Sequence, residues 1–419
     1  MPSPTPSPPR TATRSLAPDL ARGFMLLLIA CANSTWYLWG HPRLMFGIHP
    51  TDGSQVDQIL RAVMAIAVDG RVYPMFAFLF GYGMVQFARA RTVRGMPELE
   101  MRRQLRRRHL WLLLFGFIHA ALLFAGDILS AYGLTGLILV ALGFRARDTT
   151  LAIWSLVLIG LSWMGAVLSL ISGWALLNAD IDVPAEIWGM SFSSVDLMTG
   201  VSGYGTSVLL RLLVWAFTGP SMVLAGIIPT AVLIGWIAAR RRVLEEPGRH
   251  RRLLTRVAAG GITLGWLGGV PLALERLGRP LFPEILSWAP LLLDYTLGLA
   301  GGLGYVALFG LISARVTRPR GPWRAVAALG ERSLSGYLWQ SIVMAPLLAA
   351  WGLALGAQLN TTGILGVAAL TWLLSVPLAW WLSTRGRRGP FEAWLRRLTQ
   401  AGRPHSTPAP ATPVAPVSE

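Results

Sequence analysis

The sequence predicts an all-α polytopic membrane protein, with about ten transmembrane helices and both termini cytoplasmic. Three observations lead there. Of 419 residues, 53% are hydrophobic and only 14% are charged, where a soluble domain carries about 25%. Many apolar runs reach the roughly 20 residues that cross a bilayer. Between the runs, arginines gather in alternate connectors, as they do in loops held on the cytoplasmic side.

Composition also narrows the partners. The net charge is +17, and every one of the 37 basic residues is Arg. Because these sit in short connectors beside apolar runs, the expected partner is the lipid bilayer, and no nucleic acid is needed to explain them. The single cysteine, Cys31, rules out an intrachain disulfide and any multi-cysteine metal site. The histidines are scattered, with no HExxH or CxxC spacing, so no metal is expected. Leu28-Ile29-Ala30-Cys31 resembles a bacterial lipoprotein cleavage box. The apolar run continues through Trp39, however, so Cys31 is read as a small residue inside the first span.

In chain order, residues 1–17 are rich in Pro, Ser and Thr and read as a disordered tail. Span 1 covers Leu20–Gly40, and a polar segment with His41, His49, Asp52 and Asp57 follows. Val56–Asp69 has the pattern of an amphipathic interfacial helix, and span 2 runs from Arg71 or Val72 to Ala88. Arg89–His109 is a strongly basic connector. Spans 3 (Leu110–Ala125) and 4 (Ile128–Gly143) are joined by almost nothing, which makes a tight hairpin with Asp127 at its outward-facing tip. Span 5 is Leu151–Leu177, and the loop after it holds Asp180, Asp182, Glu186 and Asp196 but no Arg. Ser207–Ala239 is too long for one straight span, so span 6 is expected to kink at Pro220 and Pro229, with Arg211 at the interface.

The basic stretch Arg240–Arg256 leads into span 7 (Leu253–Leu274), and a mixed-charge link, Glu275–Glu284, leads into span 8 (Ile285–Ala314). Within span 8, Gly298 and Gly302 have the small-xxx-small spacing that lets helices approach closely. After the basic Arg315–Arg332, spans 9 (Leu334–Leu355) and 10 (Ile364–Ser383) complete the set. The domains are then a tail at 1–17, a four-span bundle at 18–150, spans 5 and 6 at 151–240, a four-span C-terminal domain at 241–400 and a tail at 401–419.

Polar groups inside apolar runs are the candidate site, since an ionisable side chain in lipid is costly unless it meets a partner or a wet cavity. Asp19, Arg22 and Asn33 of span 1 fall within about 60° of one another on a helix. Asp19 and Arg22 alone would pass as an ion pair at a helix start, with Arg22 snorkelling. Asn33, about 16 Å further along, extends them into a stripe facing the bundle interior. Asp69 stands at the outer end of span 2, Asp294 lies inside span 8, and span 9 carries a stripe of Ser333, Tyr337, Gln340 and Ser341 that would also serve as interhelical glue. His119 sits near mid-depth of span 3. A lone helical histidine is often only a satisfied hydrogen-bonder, but its free pKa near working pH also suits a general base. Asp127 is two turns above it and about 80° around, too far along one helix for direct contact.

Asp19-Leu20-Ala21-Arg22-Gly23 with Asn33, Phe78-Leu79-Phe80-Gly81-Tyr82-Gly83, and the hairpin Gly116-Phe117-Ile118-His119…Gly126-Asp127-Ile128-Leu129…Tyr132-Gly133-Leu134-Thr135-Gly136 resemble the YeiB-like family of bacterial membrane proteins. In the C-terminal half, Leu329-Gly330-Glu331-Arg332-Ser333-Leu334-Ser335-Gly336-Tyr337-Leu338-Trp339-Gln340-Ser341 and Gly389-Pro390-Phe391-Glu392-Ala393-Trp394-Leu395-Arg396-Arg397 are similar to the signatures of that family's domain of unknown function 418. The resemblance covers most of residues 19–399 and is least typical over Gly40–Asp69 and 178–204. It implies the bacterial cytoplasmic (inner) membrane. Its span-1 pattern is similar to that of membrane acyltransferases, in which a histidine serves transfer from a cytoplasmic acyl-CoA to an acceptor on the other side.

The leading expectation is a membrane-embedded O- or N-acyltransferase that modifies an envelope or exported hydroxylated acceptor, such as a glycan. His119 would be the acid/base group or a transient acyl carrier, with Asp127 beside it in function. Asp69, Asp127 and Tyr132 would line an outer vestibule, and Arg22 with nearby arginines would meet the phosphates of an acyl-CoA donor. Asp19, Asn33, Asp294, Tyr337 and Gln340 complete the expected substrate-facing set. The alternatives are a secondary transporter working through His119, Asp127 and Asp294, and a non-catalytic scaffold.

Overall fold

The computed structural model describes residues 16–44, 47–179, 194–283, 286–316 and 320–400. Most of both predicted tails, together with Asp180, Asp182, Glu186 and Glu284, lie outside the described residues. Regular structure among those described is helical, apart from one isolated bridge between Arg43 and Pro50. Leu16 and Ala17, assigned to the tail from sequence, already belong to the first helix.

The N-terminal elements are α1 (Leu16–Ser34), α2 (Gln55–Ala67), α3 (Val72–Thr92), α4 (Glu98–Leu122), α5 (Leu129–Ile138, continued by a π-helical turn to Gly143) and α6 (Asp148–Leu177). After the short α7 (Ser194–Thr199) come α8 (Tyr204–Leu224), α9 (Ile227–Arg240), α10 (Arg251–Arg276) and α11 (Ala289–Arg315). The chain closes with α12 (Pro322–Gly330), α13 (Ser333–Leu348), α14 (Thr361–Thr384) and α15 (Pro390–Gln400).

Among the described residues, seven helical stretches are long and apolar enough to cross a membrane. They coincide with predicted spans 1, 2, 5, 7, 8 and 10 and the first half of span 6. Spans 3, 4 and 9 are helical but fall short of that standard. The arginines of α4 reach far up the helix, the α-helical part of α5 has 10 residues, and α13 has only 16.

Two boundaries move for clear physical reasons. Arg89–His109 is not a loop: from Glu98 onward it is the first half of a continuous 25-residue helix that runs through Leu122. Arginine is a good helix former, and Glu98 and Glu100 sit in the first turn, where carboxylates favour the helix dipole. Predicted span 6 is two helices rather than one kinked rod. Pro220 is tolerated inside α8, and the break falls at Gly226, whose φ of +79° is a left-handed turn that ends one helix and starts the next.

The layout follows from burial. In α1 two thirds of the apolar window is buried against 17% in α6, so α1 lies inside the bundle and α6 on its outside. Leu20, Met25, Leu26 and Ile29 of α1 are fully buried and α1 packs on α3, α11, α12, α13 and α14. α2 begins with a capping box between Ser54 and Asp57. Asp57 also accepts from the backbone N–H and hydroxyl of Thr362, which ties the segment to the start of α14. Val56, Ile59 and Val63 point outward while the opposite face packs on α10, the one-sided pattern read from sequence. Close approach of α11 to the start of α3 depends on Gly298 and Gly302, where any Cβ would run into the backbone of Gly70 and Arg71.

Candidate functional site

The hairpin that carries the site is built by how α4 ends. Leu123 leaves helical geometry at φ −130°, and the N–H groups of Leu123 and Phe124 both donate to the carbonyl of His119, at 2.9 and 3.0 Å. Later carbonyls of the last turn also need partners. Buried Arg211 of α8 donates twice to the Ala121 carbonyl, at 3.2 and 2.9 Å, and Tyr204 donates to that of Leu122 at 3.0 Å. A guanidinium there also suits the negative end of the helix dipole. Arg211 is therefore not interfacial, as its position in the sequence suggested. It is wholly buried and fixes the end of the helix that holds His119.

With α4 stopped at Leu122, the chain doubles back and brings Asp127 down beside His119. The separation expected from sequence holds only for a continuous helix, and the fold-back removes it. Asp127 Oδ1 lies 3.0 Å from His119 Nδ1. Gly116, one turn before His119, leaves room for this fold-back, since a Cβ there would strike the Asp127 carboxylate and the Ser130 backbone nitrogen. Asp127 Oδ2 accepts from the backbone N–H and hydroxyl of Ser130, at 2.9 and 2.8 Å, which caps the start of α5. Trp215 of α8 in turn donates to the Ser130 hydroxyl at 3.0 Å.

The other face of the imidazole meets α13. His119 Nε2 is 2.8 Å from the Ser341 hydroxyl oxygen. Asp127, His119 and Ser341 thus form one hydrogen-bonded line, and all three are buried, at 1%, 2% and 4% exposure. With the Asp127 carboxylate accepting from Nδ1–H, the neutral imidazole presents its lone pair at Nε2, toward the serine proton. Tyr337, one turn before Ser341, places its ring 5.3 Å from the imidazole and accepts from the Ile128 N–H at 3.4 Å. The start of α13 is fixed by Glu392 of α15, which accepts from the N–H groups of Leu334 and Ser335 at 2.8 and 3.0 Å and from the Ser335 hydroxyl at 2.5 Å. The two C-terminal signature stretches are therefore one physical unit, in which the second caps the helix of the first.

Other predicted residues fall into three groups. Asp19 and Arg22 pair at 3.2 Å, and Arg22 also donates to the Leu79 carbonyl at 2.9 Å, so it turns inward instead of snorkelling. Asn33 accepts from Tyr73 at 3.3 Å, Tyr132 donates to the Tyr73 carbonyl at 2.9 Å, and Tyr132 stacks on Phe80. Gln340 donates to the Leu26 carbonyl of α1 at 2.7 Å, and its side-chain oxygen has no hydrogen-bond partner. Asp69 and Asp294 do not join His119. Asp69 pairs with His49 at 2.8 Å, and Asp294 with the buried guanidinium of Arg71 at 2.5 Å. Arg71 also donates to the carbonyls of Asp69 and Gly265.

Near the arginine-rich half of α4 lies a candidate anion site. Arg91 and Arg108 both stand over the Phe87 ring, at 3.3 and 5.5 Å. The tip of Arg22 lies against Gly83, one turn earlier on α3. Glu392, whose negative charge bears on Arg108, is already engaged with the start of α13. Among the described residues, no group of three or more His, Cys, Asp or Glu side chains is placed to hold a metal ion.

The fold and site define a multi-span α-helical membrane protein with a buried Asp–His–Ser line at its centre. Residues 238–402 match the family described as "Protein of unknown function (DUF418)". The chain is 28% identical over 363 residues to the "Uncharacterized protein YxaH" of Bacillus subtilis (strain 168), covering 82% of each. It is 25% identical over 402 residues to the "Uncharacterized protein YeiB" of Escherichia coli (strain K12), covering 92% of this chain and 96% of that one. The resemblance carried by the hairpin and by the C-terminal signatures holds: the chain is similar to YxaH and YeiB over most of its length, and its C-terminal region matches DUF418.

Two residues of this buried network are not singled out by the sequence. Ser341 was seen only as part of a polar stripe, and Arg211 only as an interfacial charge. The signal for Ser341 was its place one turn after Tyr337 in a stripe too polar for lipid. Nothing in the sequence linked that stripe to His119.

Proposed function

We propose that this protein is a membrane-embedded acyltransferase that moves an acyl group from a cytoplasmic acyl-CoA to a hydroxylated acceptor, such as a glycan, of the envelope or of an exported molecule. One observation supports it most strongly: a buried imidazole held by a carboxylate on one nitrogen and facing a hydroxyl with the other. That arrangement is what general-base activation of a hydroxyl needs. Asp127 orients the ring and stabilises the imidazolium, and His119 takes the hydroxyl proton and returns it to the leaving thiol. Arg22, Arg91 and Arg108 would hold the donor's phosphates by charge-assisted hydrogen bonds. Along α4, Arg108 and His119 are about 16 Å apart, a distance that an extended phosphopantetheine arm spans. Ten spans in the bacterial inner membrane, with both termini cytoplasmic, would put the arginines on the donor's side.

A secondary transporter is the competing reading, and the buried His49–Asp69 and Arg71–Asp294 pairs favour it. Yet Arg71 is also tied to the carbonyls of Asp69 and Gly265, and neither pair is hydrogen-bonded to His119. Thermal unfolding of the purified protein with and without acetyl-CoA tests the proposal. Acetyl-CoA raises the midpoint of the wild type, and Arg108→Ala with Arg91→Ala abolishes that rise. No protection at any concentration would count against the acyltransferase, as would proton-coupled uptake in proteoliposomes that Asp294→Asn abolishes.

A further inference from the structure

We propose that Ser341 carries the acyl group, so that transfer proceeds through two covalent half-reactions. This rests on the acyltransferase reading and specifies how its site works. The buried hydroxyls of Ser155, Ser169, Thr230, Thr371 and Ser375 all donate to backbone carbonyls, as expected of hydroxyls that stabilise helices. Ser341 differs. Its oxygen lies 2.8 Å from an imidazole nitrogen whose ring is held from behind by Asp127, 3.0 Å away. Nucleophile, base and orienting carboxylate in that order recur on unrelated folds that activate a serine.

The placement is also fixed from outside. Arg211 and Tyr204 hold the end of α4, and Glu392 holds the start of α13, so the two helices that bring His119 and Ser341 together are each anchored by a partner. At 4% exposure, an ester on Ser341 is shielded from bulk water, which protects it from hydrolysis between the two steps.

The chemistry balances. In the first half-reaction the Ser341 oxygen attacks the thioester carbonyl carbon, and its proton passes to His119 Nε2. The new oxygen–carbon bond forms as the carbon–sulfur bond breaks, and His119 returns the proton to the leaving thiolate, giving a free thiol and an acyl-serine. In the second, His119 takes the proton of the acceptor hydroxyl, whose oxygen attacks the same carbonyl. The bond to Ser341 then breaks, and its oxygen regains the proton from His119. No oxidant, reductant or further reactant is required.

The test is to incubate the full-length protein in detergent or nanodiscs with acetyl-CoA alone and to measure intact mass, followed by peptide mapping. The wild type gains one acetyl group, mapped to Ser341. His119→Ala slows that gain by about 10⁴-fold, and Ser341→Ala abolishes it while thermal protection by acetyl-CoA persists in both variants. Ser341→Cys restores a label that neutral hydroxylamine removes, as a thioester requires. Protection by acetyl-CoA with no acetylated protein, or acetylation that persists in Ser341→Ala, overturns the serine carrier and leaves the acyltransferase reading standing. Absence of both protection and acetylation overturns the two together.

Discussion

Among the buried charged groups of the described residues, two clusters are built on opposite principles. In the first, around Arg71, the guanidinium is consumed by the Asp294 carboxylate and by the carbonyls of Asp69 and Gly265. Its bonds join the turn before α3 to α10 and α11. In the second, around His119, the bonds lead from a carboxylate through a ring that can take up and release a proton to a hydroxyl. Both satisfy the requirement that charge in lipid be partnered. Only the second leaves a group that can do chemistry. A buried charge in a membrane protein is therefore better judged by what its partners are than by its presence.

The largest expected effects sharpen that contrast. Asp127→Asn, which offers His119 the wrong hydrogen-bonding pattern, should lower thiol release from acetyl-CoA by about 10⁴-fold. Its unfolding midpoint should move little, because an asparagine oxygen still accepts from the Ser130 N–H. Asp294→Ala should do the reverse. Leaving Arg71 buried and unpaired costs about 3–5 kcal/mol of stability, seen as a lower denaturation midpoint, while thiol release per folded molecule stays within a few-fold of wild type. A large activity loss in a stable Asp294→Ala protein would erase the distinction.

Smaller effects come from the residues that shape the hairpin. Gly116→Ala pushes a methyl group into Asp127 and Ser130 and should cost about 1–3 kcal/mol through overpacking, together with a loss of thiol release. Arg211→Leu removes the partner of the Ala121 carbonyl and should cost about 1–3 kcal/mol, again with reduced thiol release because His119 sits in the same turn. The smallest effect is one of pH. Burial, reinforced by Arg276, pushes the His49 pKa below its ordinary value, against the opposing pull of Asp69. The folded state thus favours the neutral ring, and the unfolded chain binds the proton more readily. This contribution to stability is fully present above the unfolded value of about 6.5 and declines as pH falls below it. Thermal melts of the wild type and His49→Gln between neutral and mildly acidic pH should diverge in that direction.

The sequence carried the class, most helix limits and the conspicuous polarity of His119 and Asp127, because apolar length and intramembrane polarity are both local signals. It did not carry their contact. That depends on where α4 stops, which Arg211 helps to set from 90 residues away. Nor did it carry the link to Ser341, across 222 residues of chain. Of the three predicted spans that fall short as membrane crossers, two carry His119 and Ser341, and Asp127 sits in the turn that leads into the third. Short or arginine-laden helices are weak signals of a membrane span, and in this chain they hold the polar centre. Asp69 and Asp294 stand apart from His119 for the opposite reason. Their residue types are conspicuous in an apolar run, whereas their partners, His49 and Arg71, are not.

The most direct test of the account is the release of free thiol from acetyl-CoA by purified wild-type protein and His119→Ala, compared at matched folded concentration. Release by the wild type and a loss of about 10⁴-fold in His119→Ala are expected, with equal thermal protection by acetyl-CoA in both. Equal release from the two proteins would contradict it, and so would protection without release from either.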